Sequence, residues 1–106
     1  MADRVPVDTS LVSYIAELAH KTRQHPMLRL GVSTRGGAGV LRAARARAAM
    51  FGQTYVTPDH IHELVAPVFS HRMLLTPEAE LKRVSVEEVL AEVLAEVPVP
   101  GTRSAV

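Results

Sequence analysis

Gly31-Val32-Ser33-Thr34-Arg35-Gly36-Gly37 stands directly ahead of an Ala/Arg-rich run in this 106-residue chain. Ser33 is the best N-cap for a helix that continues to about Phe51, because its hydroxyl can accept an amide of the first turn. Gly37, Val40, Leu41, Ala44, Ala48 and Phe51 then share one face of that helix. Arg35 and Arg42 lie together on another, two turns apart. Gly52 supplies the stop, in the left-handed conformation that ends many helices. A helix N-terminus bares amides and a partial positive charge, which suits an anion. An arginine there adds a fork matched to phosphate. Two glycines early in a helix cost about 1 kcal/mol each relative to alanine, so something must approach the backbone closely.

Three further helices follow from the same signals. Asp8 or Thr9 caps a first helix through about Arg23, with Leu11, Tyr14, Ile15, Leu18 and Ala19 as its apolar stripe. Pro26 blocks its continuation, and Met27 to Val32 reads as a connection. Thr57 caps a third helix with Pro58 at its first position and Asp59 in its first turn. Ile61, Leu64, Val65 and Val68 form its buried face, and Pro67 marks its end or a kink. Ser85-Val86-Glu87-Glu88 is a capping box for a last helix with the stripe Val86, Val89, Leu90, Val93 and Leu94. Tyr55-Val56 and Arg72 to Leu75 are short and β-prone, and the two can pair as a minimal ladder. The expected fold is all-α, with four helices over residues 8–97. Residues 1–7 read as a tail or linker stub and 98–106 as a C-terminal tail.

Composition agrees with one small helical domain. Hydrophobic residues are 47% and aromatics only 4%, without tryptophan, so the core is aliphatic and alanine-rich. The absence of cysteine excludes a disulfide scaffold, a thiolate metal site and a cysteine nucleophile. No apolar run reaches the roughly 18 residues of a membrane span, and the start Met-Ala-Asp-Arg lacks the apolar region of a signal peptide. A cytoplasmic domain is the expectation. The net charge of +1 hides an asymmetry. No acidic residue falls between Glu17 and Asp59, whereas Lys21, Arg23, Arg29, Arg35, Arg42, Arg45 and Arg47 do. Glu78 to Glu96 is mostly acidic.

Catalytic constellations are absent from the pattern. His60 and His62 are two apart on a helix and face nearly opposite ways; His20, His25 and His71 are isolated, so no metal site is expected. Ser33 has no histidine and aspartate beside it in sequence and sits where a cap belongs. Gly36-Gly37-Ala38-Gly39 lacks the lysine of a phosphate loop, so any nucleotide site must be completed by another domain or chain. Arg35 is then the one candidate for a phosphate contact, with Ser33 and Gly36 supporting its helix start; on spacing alone the simpler reading is an exposed arginine that solubilises the helix. The alternative is a non-enzymatic adaptor or nucleic-acid-binding module that uses the basic segment 21–47. Few aromatics are available for stacking, and the arginines spread around the helix, so nucleic acid is not the expected partner.

Taken in order, several motifs resemble the C-terminal lid of MoxR-type AAA+ ATPases over roughly residues 8 to 100. They are Tyr14, Thr22-Arg23, His25-Pro26, Leu30 to Arg35, Leu41 to Ala46, Gly52, Tyr55 to Asp59, Ala66-Pro67-Val68, His71-Arg72 and Val97 to Pro100. The family commonly reads Gly-Ala-Ser-Pro-Arg-Ala where this chain has Gly31-Val32-Ser33-Thr34-Arg35-Gly36. The resemblance implies a small helical AAA+ lid that follows an α/β nucleotide-binding core. It implies that Arg35 is the sensor-2 arginine, approaching the γ-phosphate of ATP with Mg2+ at a subunit interface of a ring, typically a hexamer. It further implies chaperone-like remodelling of client proteins, often with partners carrying von Willebrand factor A domains. The chain by itself, lacking the core, is expected neither to bind ATP tightly nor to hydrolyse it.

Overall fold

The computed structural model describes residues 7–99. The expected tails therefore lie outside the described residues except at their inner ends, where Val7 and Val99 are half-buried and pack on the core. Helix α1 spans Thr9–Gln24, α2 Thr34–Met50, α3 Pro58–Ser70, α4 Pro77–Leu81 and α5 Val86–Glu96, with strands β1 at Leu28–Leu30 and β2 at Leu74–Leu75.

The expected caps close four of these helices. Asp8 accepts the Ser10 amide at the start of α1, Ser33 the Gly36 amide, Thr57 the His60 amide and Ser85 the Glu88 amide. The Glu88 carboxylate returns to the Ser85 amide at 2.8 Å, which completes the capping box. At the end of α2 the Gly52 and Gln53 amides bond back to Ala49 and Ala48 carbonyls, with Gly52 at φ +72°. Leu18, Val32, Val40, Ile61, Val65 and Phe69 are fully buried where α1, α2 and α3 meet, and α5 covers α1 and α3 with Val89, Leu90 and Val93.

Four expectations are corrected or narrowed. The ladder joins Leu28–Leu30 to Leu74–Leu75, antiparallel with a shift in register between Leu28 and Leu30; Tyr55-Val56 takes no part. Gln53 is still bonded into the end of α2 and Thr57 already caps α3, which leaves Tyr55-Val56 in a short link between two helices. The supposed connection from Met27 to Val32 is the strand instead, extended by a bond from the Thr76 amide to the Met27 carbonyl. Of the two readings of Pro67, the helix end is excluded, since α3 runs three residues beyond it. The bond it removes is to Glu63, on the solvent side, where water can satisfy the carbonyl. Phe51 is exposed instead of buried and carries the Arg47 guanidinium 5.9 Å from its ring. The short α4 is additional, and its Thr76 cap, Pro77 and acidic first turn were a legible start signal.

Helices α2 and α3 form an antiparallel hairpin. Arg47 near the end of α2 pairs with Glu63 near the start of α3 at 3.1 Å. At the opposite end, Arg72, just past α3, lies against Gly36 at the start of α2. Acidic partners sit at one end of the hairpin and arginines at the other.

Candidate functional site

The start of α2 is held by the end of α1. Thr22 is fully buried; its hydroxyl donates to the Ala19 carbonyl at 2.6 Å and accepts the Val32 amide at 2.8 Å. The Arg23 guanidinium donates to the Val32 carbonyl at 2.6 Å. Both peptide groups of Val32 are thereby tied to one turn of α1. A Cβ on Gly31 would sit 2.6–2.7 Å from backbone atoms of Thr22 and Arg23, so only glycine fits. Ser33, in extended conformation, then accepts the Gly36 amide on its hydroxyl and the Gly37 amide on its carbonyl. That leaves the amides of Thr34 and Arg35 as the unpaired donors of the first turn among the described residues.

Arg35 projects from this turn. It is exposed and has no carboxylate within ion-pair distance among the described residues. Its neighbours Gly36 and Gly37 are buried for packing reasons. A Cβ on Gly37 would meet Ile15 and Ala19 of α1 at 3.2 and 3.9 Å. One on Gly36 would meet Val32 and Arg72 side chains at 2.8 Å. Beside the turn, an open apolar groove between α1 and α2 is lined by Val12, Ile15, Ala16 and Leu41, with Arg23 and Thr34 at its rim.

The other candidates disperse. His60 is part of the α3 cap, its Nδ1 accepting the Thr57 amide at 2.9 Å. His25 accepts the Met27 amide on Nδ1 and meets Glu92 of α5 at 2.9 Å through Nε2. His20, His62 and His71 are exposed, and no three histidine or acidic side chains converge among the described residues. The arginines of α2 do not make one stripe. Arg45 has its Nε buried without a hydrogen-bond partner among the described residues, Arg47 is paired to Glu63, and Arg42 faces Arg72 across Gly39. Thr22, Arg23 and Arg72 are the structural participants that spacing alone does not single out. Their partners lie ten, nine and thirty-six residues away.

No described helix is long and apolar enough to cross a membrane. The sequence matches the model of the AAA lid domain family over residues 20–93. It is 43% identical over 102 residues to an uncharacterised protein, YeaC, of Bacillus subtilis, covering 96% of this chain and 32% of that relative. It is 32% identical over 103 residues to the chaperone MoxR1 of Mycobacterium tuberculosis, covering 89% of this chain and 27% of the relative. Protein MoxR of Paracoccus denitrificans is 39% identical over 76 residues, covering 71% of this chain and 22% of the relative. Among solved structures, a Cytophaga hutchinsonii protein described as a candidate ATPase superposes with a TM-score of 0.86 at 29% identity, over 92% of this chain and 32% of that one. The chain thus spans about a third or less of the length of the proteins it matches.

Proposed function

The chain belongs to the AAA lid domain family in its MoxR-type form, and from that premise we propose that Arg35 is the lid's sensor-2 arginine, acting on the terminal phosphate of a nucleotide held by a separate core domain. The carrying observation is the state of Arg35: an exposed guanidinium without a carboxylate partner, on a helix turn pinned through both peptide groups of Val32. A fork so placed delivers two parallel donors to phosphate oxygens. The unpaired Thr34 and Arg35 amides and the helix dipole add to the same field.

The residues present fit one edge of an ATP site. Bound nucleotide with Mg2+ would supply the scissile phosphoanhydride and the metal that neutralises it. Arg35 would offset charge that builds on the terminal phosphoryl oxygens, Ser33 and Gly36 would hold its turn, and the clasp to α1 would transmit lid movement to it. The apolar groove between α1 and α2 is the face offered to the core. On this reading residues 8–97 are the lid. The parent protein works as a ring of such subunits in the cytoplasm, coupling nucleotide state to remodelling of client proteins, with von Willebrand factor A domain proteins as the expected class of partner.

The test is turnover by an ATPase ring that carries this lid. Arg35→Ala is expected to lower it on the order of 100-fold, the scale for removing a charge-stabilising donor, and Arg35→Lys to restore only part. Near-parental turnover in an assembled, folded Arg35→Ala ring removes the assignment.

A further inference from the structure

A second cationic feature lies one turn beyond Arg35. Arg72 leaves the end of α3 and crosses α2 with its Cδ 2.8 Å and its Nε 3.2 Å from where a Gly36 Cβ would be. Its Nη2 reaches 3.8 Å from the corresponding point on Gly39, and Arg42 brings its own Nη2 to 3.7 Å from the same point. Two guanidinium groups from different elements thus converge on a residue with no side chain. The Val68 carbonyl accepts one bond from Arg72 Nη1, at 3.3 Å, which fixes the arm and leaves the other donors of that fork without partners among the described residues.

No carboxylate balances this pair. The ion pairs of the described residues join His25 to Glu92 and Arg47 to Glu63, neither at this end of the hairpin. Helix α2 carries no acid, and the acids of α3, Asp59 and Glu63, lie in its first half while Arg72 follows its last turn. Like charges repel, so a seat of this kind gains most from an oxyanion that takes donors from both forks at once.

We propose that Arg42 and Arg72, across Gly39, form a seat for a phosphate-class oxyanion distinct from the Arg35 contact. Gly39, having no side chain, lets both guanidinium groups lie close to the helix backbone. The seat does not depend on the sensor-2 reading, and its ligand chemistry fits either free phosphate or the phosphate tail of a nucleotide.

The test is titration of the 106-residue chain with inorganic phosphate at constant ionic strength and neutral pH, followed by NMR of the arginine Nε–H groups and glycine amides. The Gly39 amide and the Arg42 and Arg72 Nε signals are expected to move together with one saturating constant, while Arg29 and Arg47 stay still. Arg72→Lys keeps the charge but loses the fork, and should weaken binding at least about 5-fold. Gly39→Ala is the decisive variant. Its methyl makes ordinary contacts with both arginines, so the chain folds and its Tm rises with the better helix former, yet the methyl stands against both forks, hinders an anion from reaching the two together, and binding drops to a similar extent. Arg29→Ala, an exposed arginine of β1, should leave phosphate binding within about 2-fold. Tighter binding of ATP than of phosphate, lost in both Arg35→Ala and Arg72→Lys, identifies the nucleotide tail as the source; equal binding identifies free phosphate. Shifts that never saturate, shifts spread evenly over all arginines, or parental binding by folded Gly39→Ala overturn the proposal.

Discussion

Gly31→Ala tests how the start of α2 is held. Gly31 has no positive φ, so the substitution adds no backbone strain of its own. The added methyl instead meets the Thr22 carbonyl carbon and the Arg23 nitrogen and Cα at 2.6–2.7 Å, and backbone in the last turns of a helix cannot rotate away as a side chain can. Relief requires the Gly31–Val32 segment to retreat from α1 by roughly 0.7 Å, to ordinary van der Waals distance. That breaks the bond from the Val32 amide to the buried Thr22 hydroxyl, worth about 1–2 kcal/mol when its donor is left unsatisfied. It also stretches the charge-assisted bond from Arg23 to the Val32 carbonyl, worth about 1.5 kcal/mol at this part-buried position. The expected loss is about 3 kcal/mol, and for a domain of this size a Tm lower by roughly 15 °C. Urea unfolding read by circular dichroism measures it. Thr22→Val removes the same bond from the other side and should cost about 1.5 kcal/mol. Because the two changes share that bond, the double variant should lose clearly less than the sum. A Gly31→Ala protein within about 1 kcal/mol of the parent, or strict additivity with Thr22→Val, refutes the clasp.

Other expectations are simpler. Arg35→Ala should leave stability within about 0.5 kcal/mol, since the side chain is exposed and unpaired; a larger fall in the urea midpoint would give it a structural role. Arg83 sits at φ +62° after α4, where its amide and that of Val84 close the helix end, so Arg83→Gly should raise stability by about 0.5–1 kcal/mol in the same assay. Ser85→Ala should cost about 1 kcal/mol and expose the amides of α5 to faster hydrogen exchange, which a fully retained exchange pattern would contradict. The Ser10 amide holds the Asp8 carboxyl below the usual carboxylate range. A carboxyl depressed in the folded state stabilises above its unfolded value, and that stability is lost as pH falls through the lower folded value. Acid unfolding of Asp8→Asn should therefore lack this component while the neutral-pH fold persists, and an unchanged acid limb would argue against it.

Local chemistry fixed much of this protein in advance. Asp8, Ser33, Thr57 and Ser85 each satisfy an amide two or three residues away, so four helix starts are written in short stretches of sequence. The stripe of α1 and the left-handed Gly52 follow from equally local periodicity and geometry. The placement of Arg35 in the first turn of a capped helix belongs to the same class. What the folded chain decided was every relation between distant segments. Leu28–Leu30 pairs with the distant Leu74–Leu75, whereas the β-prone Tyr55-Val56 is confined to a short link between two helix caps. Early glycines in α2 announced a close approach, but only packing shows that α1 takes Gly37 and that Arg72, thirty-six residues on, takes Gly36. Phe51 shares the apolar spacing of α2 and is exposed, because the helix has ended at Met50 and Phe51 is its C-cap, off the helical face. Periodicity states which face a helix buries; it carries no information about which side chain from elsewhere arrives to fill it.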